Sequence, residues 1–87
     1  MDTQAALAGR TLRKAMGTPK ERRWAREYMG LSQSQLCAVV HVHRVTISRW
    51  EAGTRQPSGI AALEYAEFLS LARQLRREEL EEEGDDE

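Results

Sequence analysis

The chain has 87 residues, of which 40% are hydrophobic and 31% charged, and this length allows one globular domain at most. No stretch approaches the roughly 18 consecutive apolar residues of a membrane span, and the N-terminal residues lack the apolar run of a secretory signal. The single cysteine, Cys37, excludes an internal disulfide, so we expect a cytoplasmic protein without a membrane partner.

The net charge of −1 hides an uneven distribution of charged residues. Residues 1–77 hold all 13 lysines and arginines against six acids, a net charge of +7, whereas residues 78–87 hold eight acids and no base. A basic body is typical of a phosphate-binding surface. A solvated surface with a solubilising tail is the alternative. We therefore divide the chain into residues 1–17, residues 18–77 and an acidic tail, residues 78–87.

The first two predicted elements lie before the middle of the chain. Residues 1–17 have a weak helical pattern and are interpreted as an N-terminal arm or a short helix. Thr18 is a suitable N-cap, followed by Pro19 at the first helical position and Glu21 at the third. This helix is predicted to run to Gly30, because glycine commonly ends helices.

Two short helices are predicted next. Ser32 begins the first of them, with Gln35 as its capping-box partner. After a break around residues 41–42, the second runs from about Arg44 to Ala52 and ends at Gly53, and residues 54–58 form a loop. Helical spacing predicts that the buried faces of the two helices consist of Leu36, Cys37, Val40, Ile47 and Trp50.

The last predicted helix begins near Ser58 and is long. Its apolar residues fill an arc of roughly 180°, which is wide enough for a core on one side and a partner on the other. The alternative is that the whole arc packs internally. Because anions at a helix C-terminus oppose the helix dipole, we expect fraying through Glu78 to Glu83 and disorder over residues 84–87. The arc contains Ile60, Ala61, Tyr65, Phe68, Leu69, Leu71, Ala72 and Leu75.

A set of residues in and around the segment from Leu31 to Gly53 forms a recognisable pattern: Gly30-Leu31-Ser32-Gln33, Leu36, Val40, Val42, Thr46-Ile47-Ser48, Trp50-Glu51, Gly53, Arg55 and Pro57. This segment resembles the helix-turn-helix of the lambda-repressor-like, or Xre, family, and the resemblance extends over about residues 18–72. It implies an all-α fold, a compact domain of four to five helices with a long C-terminal helix, and we expect the acidic tail that follows to be disordered.

Two residues depart from the family pattern. His41 stands in the turn where the family usually has glycine, and a left-handed conformation there costs another residue roughly 1–2 kcal/mol. His43 stands where the family usually has serine or threonine as the cap of the third helix. These departures predict a looser turn or a turn of different geometry, without changing the fold.

The resemblance implies that the third helix enters the major groove of duplex DNA. Arginine can hold guanine O6 and N7, and valine can pack on a thymine methyl group, although the arginines could instead contact phosphate only. The predicted base-reading residues are Arg44, Val45, Ser48 and Arg49. The predicted phosphate contacts are Gln33, His43, Thr46, Thr54 and Arg55, with Arg22 and Arg23 as possible additions.

Other constellations of polar residues have simpler interpretations. By resemblance, Arg26 and Glu51 form a structural ion pair. Cys37, His41 and His43 could suggest a metal, but no second pair of ligands exists at a zinc-finger spacing, so no metal or cofactor is predicted. The chain shows neither a nucleophile elbow nor a glycine-rich phosphate loop, so we do not expect an enzyme.

One recognition helix contacts only a few base pairs, so useful specificity requires a dimer. The predicted function is a transcriptional regulator, most simply a repressor that binds an inverted-repeat operator as a homodimer. The alternative is an antitoxin or another protein-interaction module of the same fold, whose acidic tail engages a protein partner. The predicted dimer interface consists of Phe68, Leu69, Leu71 and Leu75.

Overall fold

Four α-helices follow one another in the computed structural model, which describes residues 14–84. They are α1 (Pro19–Tyr28), α2 (Gln33–Val40), α3 (Arg44–Ala52) and α4 (Gly59–Gly84). Residues 14–16 form a further helical stretch before α1, and the described residues contain no strand. The all-α prediction is confirmed. The predictions for residues 1–13 and 85–87 lie outside the described residues.

The starts of α1 and α2 follow from their capping residues. The hydroxyl of Thr18 accepts a hydrogen bond from the backbone N–H of Glu21 at 3.1 Å, and the Glu21 carboxylate accepts one from the Thr18 N–H at 3.1 Å. Ser32 and Gln35 form the same reciprocal pair, at 3.0 and 2.8 Å. Both predicted capping boxes are present, so the boundaries of these helices are set locally.

The turn between α2 and α3 contains both histidines that depart from the family pattern. His41 closes α2 in the left-handed conformation, with φ 55° and ψ 47°, and its N–H donates to the Cys37 carbonyl at 2.8 Å. Its imidazole Nδ1 lies 2.8 Å from a carboxylate oxygen of Glu64 on α4. His43 is the N-cap of α3 and makes no side-chain capping hydrogen bond. The turn thus has the geometry that glycine would adopt more easily.

The core lies where α1, α2 and α3 pack together and against α4. The indole of Trp50 and the phenol ring of Tyr65 pack with their centroids 4.7 Å apart, which joins α3 to α4. Of the residues predicted to face inward, Cys37 is only half-buried and the others are buried. The buried cluster contains Met16, Ala25, Leu36, Val40, Ile47, Trp50, Tyr65, Phe68, Leu69 and Ala72.

The wide apolar arc of α4 divides between core and surface. Phe68 and Leu69 are only 6% and 1% exposed, so these two residues of the predicted dimer interface belong to the core. They face inward because α4 packs along this side against α1 and α2. Ile60 and Leu71, in contrast, are 77% and 46% exposed. The arc therefore serves the core on one side and leaves apolar side chains in solvent on the other.

The described part of the acidic run, residues 78–84, is helical, where the sequence predicts fraying through Glu78 to Glu83. α4 continues to Gly84, because glutamate is a good helix former and the Gln74 amide donates to the Glu78 carboxylate at 3.1 Å. The carboxylate of Glu79 raises the pKa of the Tyr28 phenol on α1, and the Tyr28 hydroxyl has no hydrogen-bond partner among the described residues. No helix within residues 14–84 is both long and apolar enough to cross a bilayer.

Candidate nucleic-acid interface

The outer face of α3 carries the four residues that the sequence predicts as base-reading. All four side chains are exposed, and none of them forms a hydrogen bond or ion pair with another described residue. Val45 is 57% exposed. The structure thus brings Arg44, Val45, Ser48 and Arg49 together on one surface that is open to a ligand.

The inner face of α3 explains why these side chains point outward. Ile47 and Trp50 are buried and hold the helix against α1 and α2. Because a helix turns 100° per residue, fixing these two residues inward directs Val45 and Ser48 to the opposite side. The orientation of the outer face therefore depends on core packing and not on the exposed residues themselves.

An ion pair between α1 and α3 fixes the helix in place. Arg26 Nε and Nη2 donate to the two carboxylate oxygens of Glu51 at 2.7 and 3.0 Å, and Arg26 Nη1 donates to the Leu31 carbonyl at 2.8 Å. The two side chains are only 13% and 5% exposed. The interaction with Glu51 raises the pKa of Arg26, so the guanidinium stays charged. The predicted pair thus connects α1, α3 and the start of α2.

Gln33 lies at the same junction, at the N-terminus of α2. Its amide Nε2 is 3.4 Å from the Glu51 carboxylate, and the side chain is half-buried. Because a carboxylate only accepts hydrogen bonds, this contact directs the amide nitrogen of Gln33 toward Glu51. A polar cleft of about 240 Å³ opens here, and it is lined by Arg23, Arg26, Gln33, Ser48, Glu51 and Ala52.

The remaining predicted phosphate contacts lie at the two ends of α3. His43 precedes the helix and is exposed, while Thr46 in its first turn is half-buried. Thr54 and Arg55 follow the helix and are both exposed. Polar groups that can donate hydrogen bonds therefore flank the outer face of α3 at both ends. Arg23 is exposed as well, but its guanidinium is 3.0 Å from the Glu27 carboxylate.

Comparison with known protein families identifies this arrangement. A helix-turn-helix family model of the lambda-repressor-like, or Xre, type matches residues 23–75, more than half of the chain. The chain belongs to this helix-turn-helix family. Comparisons with curated proteins and with solved structures give no significant match.

The helix-turn-helix family consists of DNA-binding transcription regulators and is not typically enzymatic. In this helix-turn-helix protein the matched residues begin in α1 and end in α4, so the match covers the three-helix junction and the outer face of α3. Within residues 14–84, no group of three or more histidine, cysteine or acidic side chains is placed to hold a metal ion.

The position of Arg22 in the structure differs from the sequence interpretation, in which Arg22 is a possible phosphate contact on the surface. It is only 2% exposed, and its guanidinium makes four hydrogen bonds inside the protein. Burial lowers its pKa. The sequence does contain a signal for this position, because Arg22 precedes the buried Ala25 by three residues and so shares the inward face of α1. Because charged side chains usually lie on the surface, the sequence interpretation assigns Arg22 to the surface.

An apolar groove lies between the end of α2 and α4. It has a volume of about 360 Å³. Its walls combine apolar side chains with two carboxylates, and Glu64 is the one that contacts His41. Ile60 lies on the same face of α4 as Leu71 and is also exposed. The groove is lined by Val39, Glu64, Glu67, Phe68 and Leu71.

Proposed function

We propose that this protein is a sequence-specific regulator of transcription that binds duplex DNA through α3, and that it acts as a repressor by occupying its operator. The observation that carries the proposal is the outer face of α3, where four exposed side chains have no partner among the described residues. Two of them are arginines, which can read guanine in the major groove.

The charge distribution supports the same proposal. The body of the protein is basic, which favours association with phosphates and makes binding dependent on salt. Thr54 and Arg55 lie exposed at one end of α3 and His43 at the other, which supports contacts to the DNA backbone on either side of the groove. Base reading by α3 and phosphate contacts at its ends together produce a defined docking geometry.

The regulator is proposed to act as a homodimer on an inverted repeat. Phe68 and Leu69 are buried in each subunit, so the proposed interface is the exposed apolar surface beside them. That surface comprises the groove at Val39 and Leu71 and the exposed side chain of Ile60 on the same face of α4, with the half-buried Leu75 at its edge. Exposed apolar residues grouped in this way are typical of an interaction site.

Two alanine variants and a control test DNA recognition. Arg44→Ala is expected to cost about 1–3 kcal/mol of binding free energy at one operator position, whereas Arg55→Ala weakens binding to all sequences and lowers the salt slope by about 1. Arg77→Ala removes the same charge from an exposed position on α4 and serves as the matched control. The proposal fails if Arg44→Ala and Arg55→Ala bind DNA as the control does.

A second function is favoured by the acidic end of α4, which is helical and exposed from Glu78 to Glu83. This segment could engage a basic protein partner, as an antitoxin does with its toxin, or cover the basic DNA-binding surface. Deletion of residues 78–87 distinguishes these roles. Stronger nonspecific DNA binding after the deletion supports covering of the basic surface, and unchanged DNA binding excludes it.

A further inference from the structure

Arg22 is a buried cation whose hydrogen bonds all go to uncharged groups. Nε donates to the Met16 carbonyl at 3.1 Å, Nη1 to the Trp50 carbonyl at 3.0 Å, and Nη2 to the Gly17 carbonyl at 3.0 Å and the Gln56 side-chain oxygen at 3.1 Å. No carboxylate among the described residues lies within ion-pair distance of it. A buried charge without a counter-ion is costly, so its site depends on these four acceptors being in place.

The acceptors belong to three separate parts of the protein. Met16 and Gly17 precede α1, Trp50 is in the last turn of α3, and Gln56 is in the loop between α3 and α4. The Trp50 carbonyl has no backbone donor from within α3, because the N–H groups of Gly53 and Thr54 both donate to the carbonyl of Arg49 instead. Arg22 therefore completes the C-terminus of the recognition helix, where a cation also complements the helix dipole.

The hydrogen bond from Arg22 to Gln56 reaches the loop that carries Arg55, a proposed phosphate contact. Gln56 is the neighbour of Arg55 in a loop where residues 54–56 are all exposed. Among the described residues, the Gln56–Arg22 contact is the only side-chain hydrogen bond that connects this loop to α1. The loop is also attached to α3 through the N–H and hydroxyl of Thr54, Gly53 at its start packs close to Pro19 of α1, and the Ser58 carbonyl at its end accepts a hydrogen bond from Ala62 of α4.

We propose that Arg22 is a positioning residue for DNA binding, which acts through Gln56 to hold the Arg55 loop and the end of α3 in the geometry that contacts phosphate. The inference rests on the proposed function, in which Arg55 binds the DNA backbone. It assigns no DNA contact to Arg22 itself. The guanidinium connects the phosphate-binding loop to the rigid part of the domain, and a fixed loop loses less conformational entropy when it binds.

Gln56→Ala is the milder test of the role, since Gln56 is exposed and Arg22 keeps its three carbonyl acceptors, whereas a substitution of Arg22 would leave those three carbonyls unpaired. We expect affinity for operator DNA to fall about tenfold, the equivalent of one charge-assisted hydrogen bond. The salt slope should fall as it does for Arg55→Ala, although no charge is removed. Gln74→Ala, the same substitution at an exposed position on α4, should leave both quantities unchanged.

A double-mutant cycle separates this role from a general loss of stability. If Gln56 acts through Arg55, Gln56→Ala has no further effect on affinity in the Arg55→Ala background. Additive losses in the double mutant would overturn the positioning role, as would unchanged affinity of Gln56→Ala beside a weakened Arg55→Ala. Unchanged affinity of Arg55→Ala would instead overturn the proposed phosphate contact, and the positioning role with it.

Discussion

The ion pair between Arg26 and Glu51 provides the sharpest prediction about stability. Glu51→Ala removes both carboxylate oxygens that accept hydrogen bonds from Arg26, at 2.7 and 3.0 Å. The Arg26 side chain is only 13% exposed, and its guanidinium then retains one described acceptor, the Leu31 carbonyl. Removal of one partner of a buried pair leaves a charge without compensation and costs about 3–5 kcal/mol. We expect Glu51→Ala to destabilise the domain by an amount in this range.

Thermal unfolding followed by circular dichroism measures this effect. For a domain of this size, each kcal/mol shifts Tm by roughly 4–8 °C, so the loss should exceed about 12 °C. Glu27→Ala is the matched control, because Glu27 pairs with Arg23 at 3.0 Å on the surface, where the side chains are 67% and 57% exposed. An exposed pair of this kind contributes about 0.3–0.5 kcal/mol.

A double variant separates lost attraction from an uncompensated charge. Arg26→Met combined with Glu51→Leu removes both charges and keeps apolar volume at the site, so it should be more stable than Glu51→Ala alone. The reasoning would be refuted if Glu51→Ala lost no more stability than Glu27→Ala, or if the double variant were less stable than the single one.

Three further predictions follow from other parts of the structure. The Tyr65 hydroxyl is buried without a partner among the described residues, and burial raises the pKa of Tyr65. As the pH rises, Tyr65 therefore ionises in the unfolded state before it does so in the folded state. The free energy of unfolding should fall above about pH 10 by about 1.4 kcal/mol per pH unit. Tyr65→Phe should remove this part of the slope in urea titrations at several pH values, and an unchanged slope would contradict it. His41→Gly should raise the free energy of unfolding by about 1 kcal/mol by relieving the left-handed conformation, whereas a less stable variant would show that the exposed contact with Glu64 matters more. Because Glu64 and Glu67 line the proposed dimer groove, sedimentation should show stronger dimerisation as salt screens their repulsion, while DNA binding weakens; weaker dimerisation with salt would exclude this interface.

Features that depend on neighbours in sequence could be predicted before the structure. The capping boxes at Thr18 and Ser32 involve residues three positions apart, so the starts of α1 and α2 can be predicted from the sequence alone. The outward face of α3 follows in the same way from the helical period. The ion pair of Arg26 and Glu51 spans 25 positions, and only the family resemblance indicated it.

Features that depend on long-range packing could not be predicted. The four acceptors around Arg22 come from positions up to 34 residues away, and no local pattern indicates that they meet. The apolar arc of α4 similarly does not reveal which of its residues, such as Phe68 or Leu71, face the core. Residues 78–84 are helical although anions at a helix C-terminus oppose its dipole, because the helix propensity of glutamate outweighs that cost.

Selection of binding sites from random duplex DNA tests the central claim most directly, namely that α3 reads sequence in the major groove as part of a dimer. We predict enrichment of an inverted repeat whose half-sites are centred about 10 base pairs apart, or a multiple of that spacing. The Arg44→Ala variant should lose its preference at one position in each half-site while it retains the spacing. Recovery of no preferred sequence by the unmodified protein, in low salt and with the chain folded, would contradict the account.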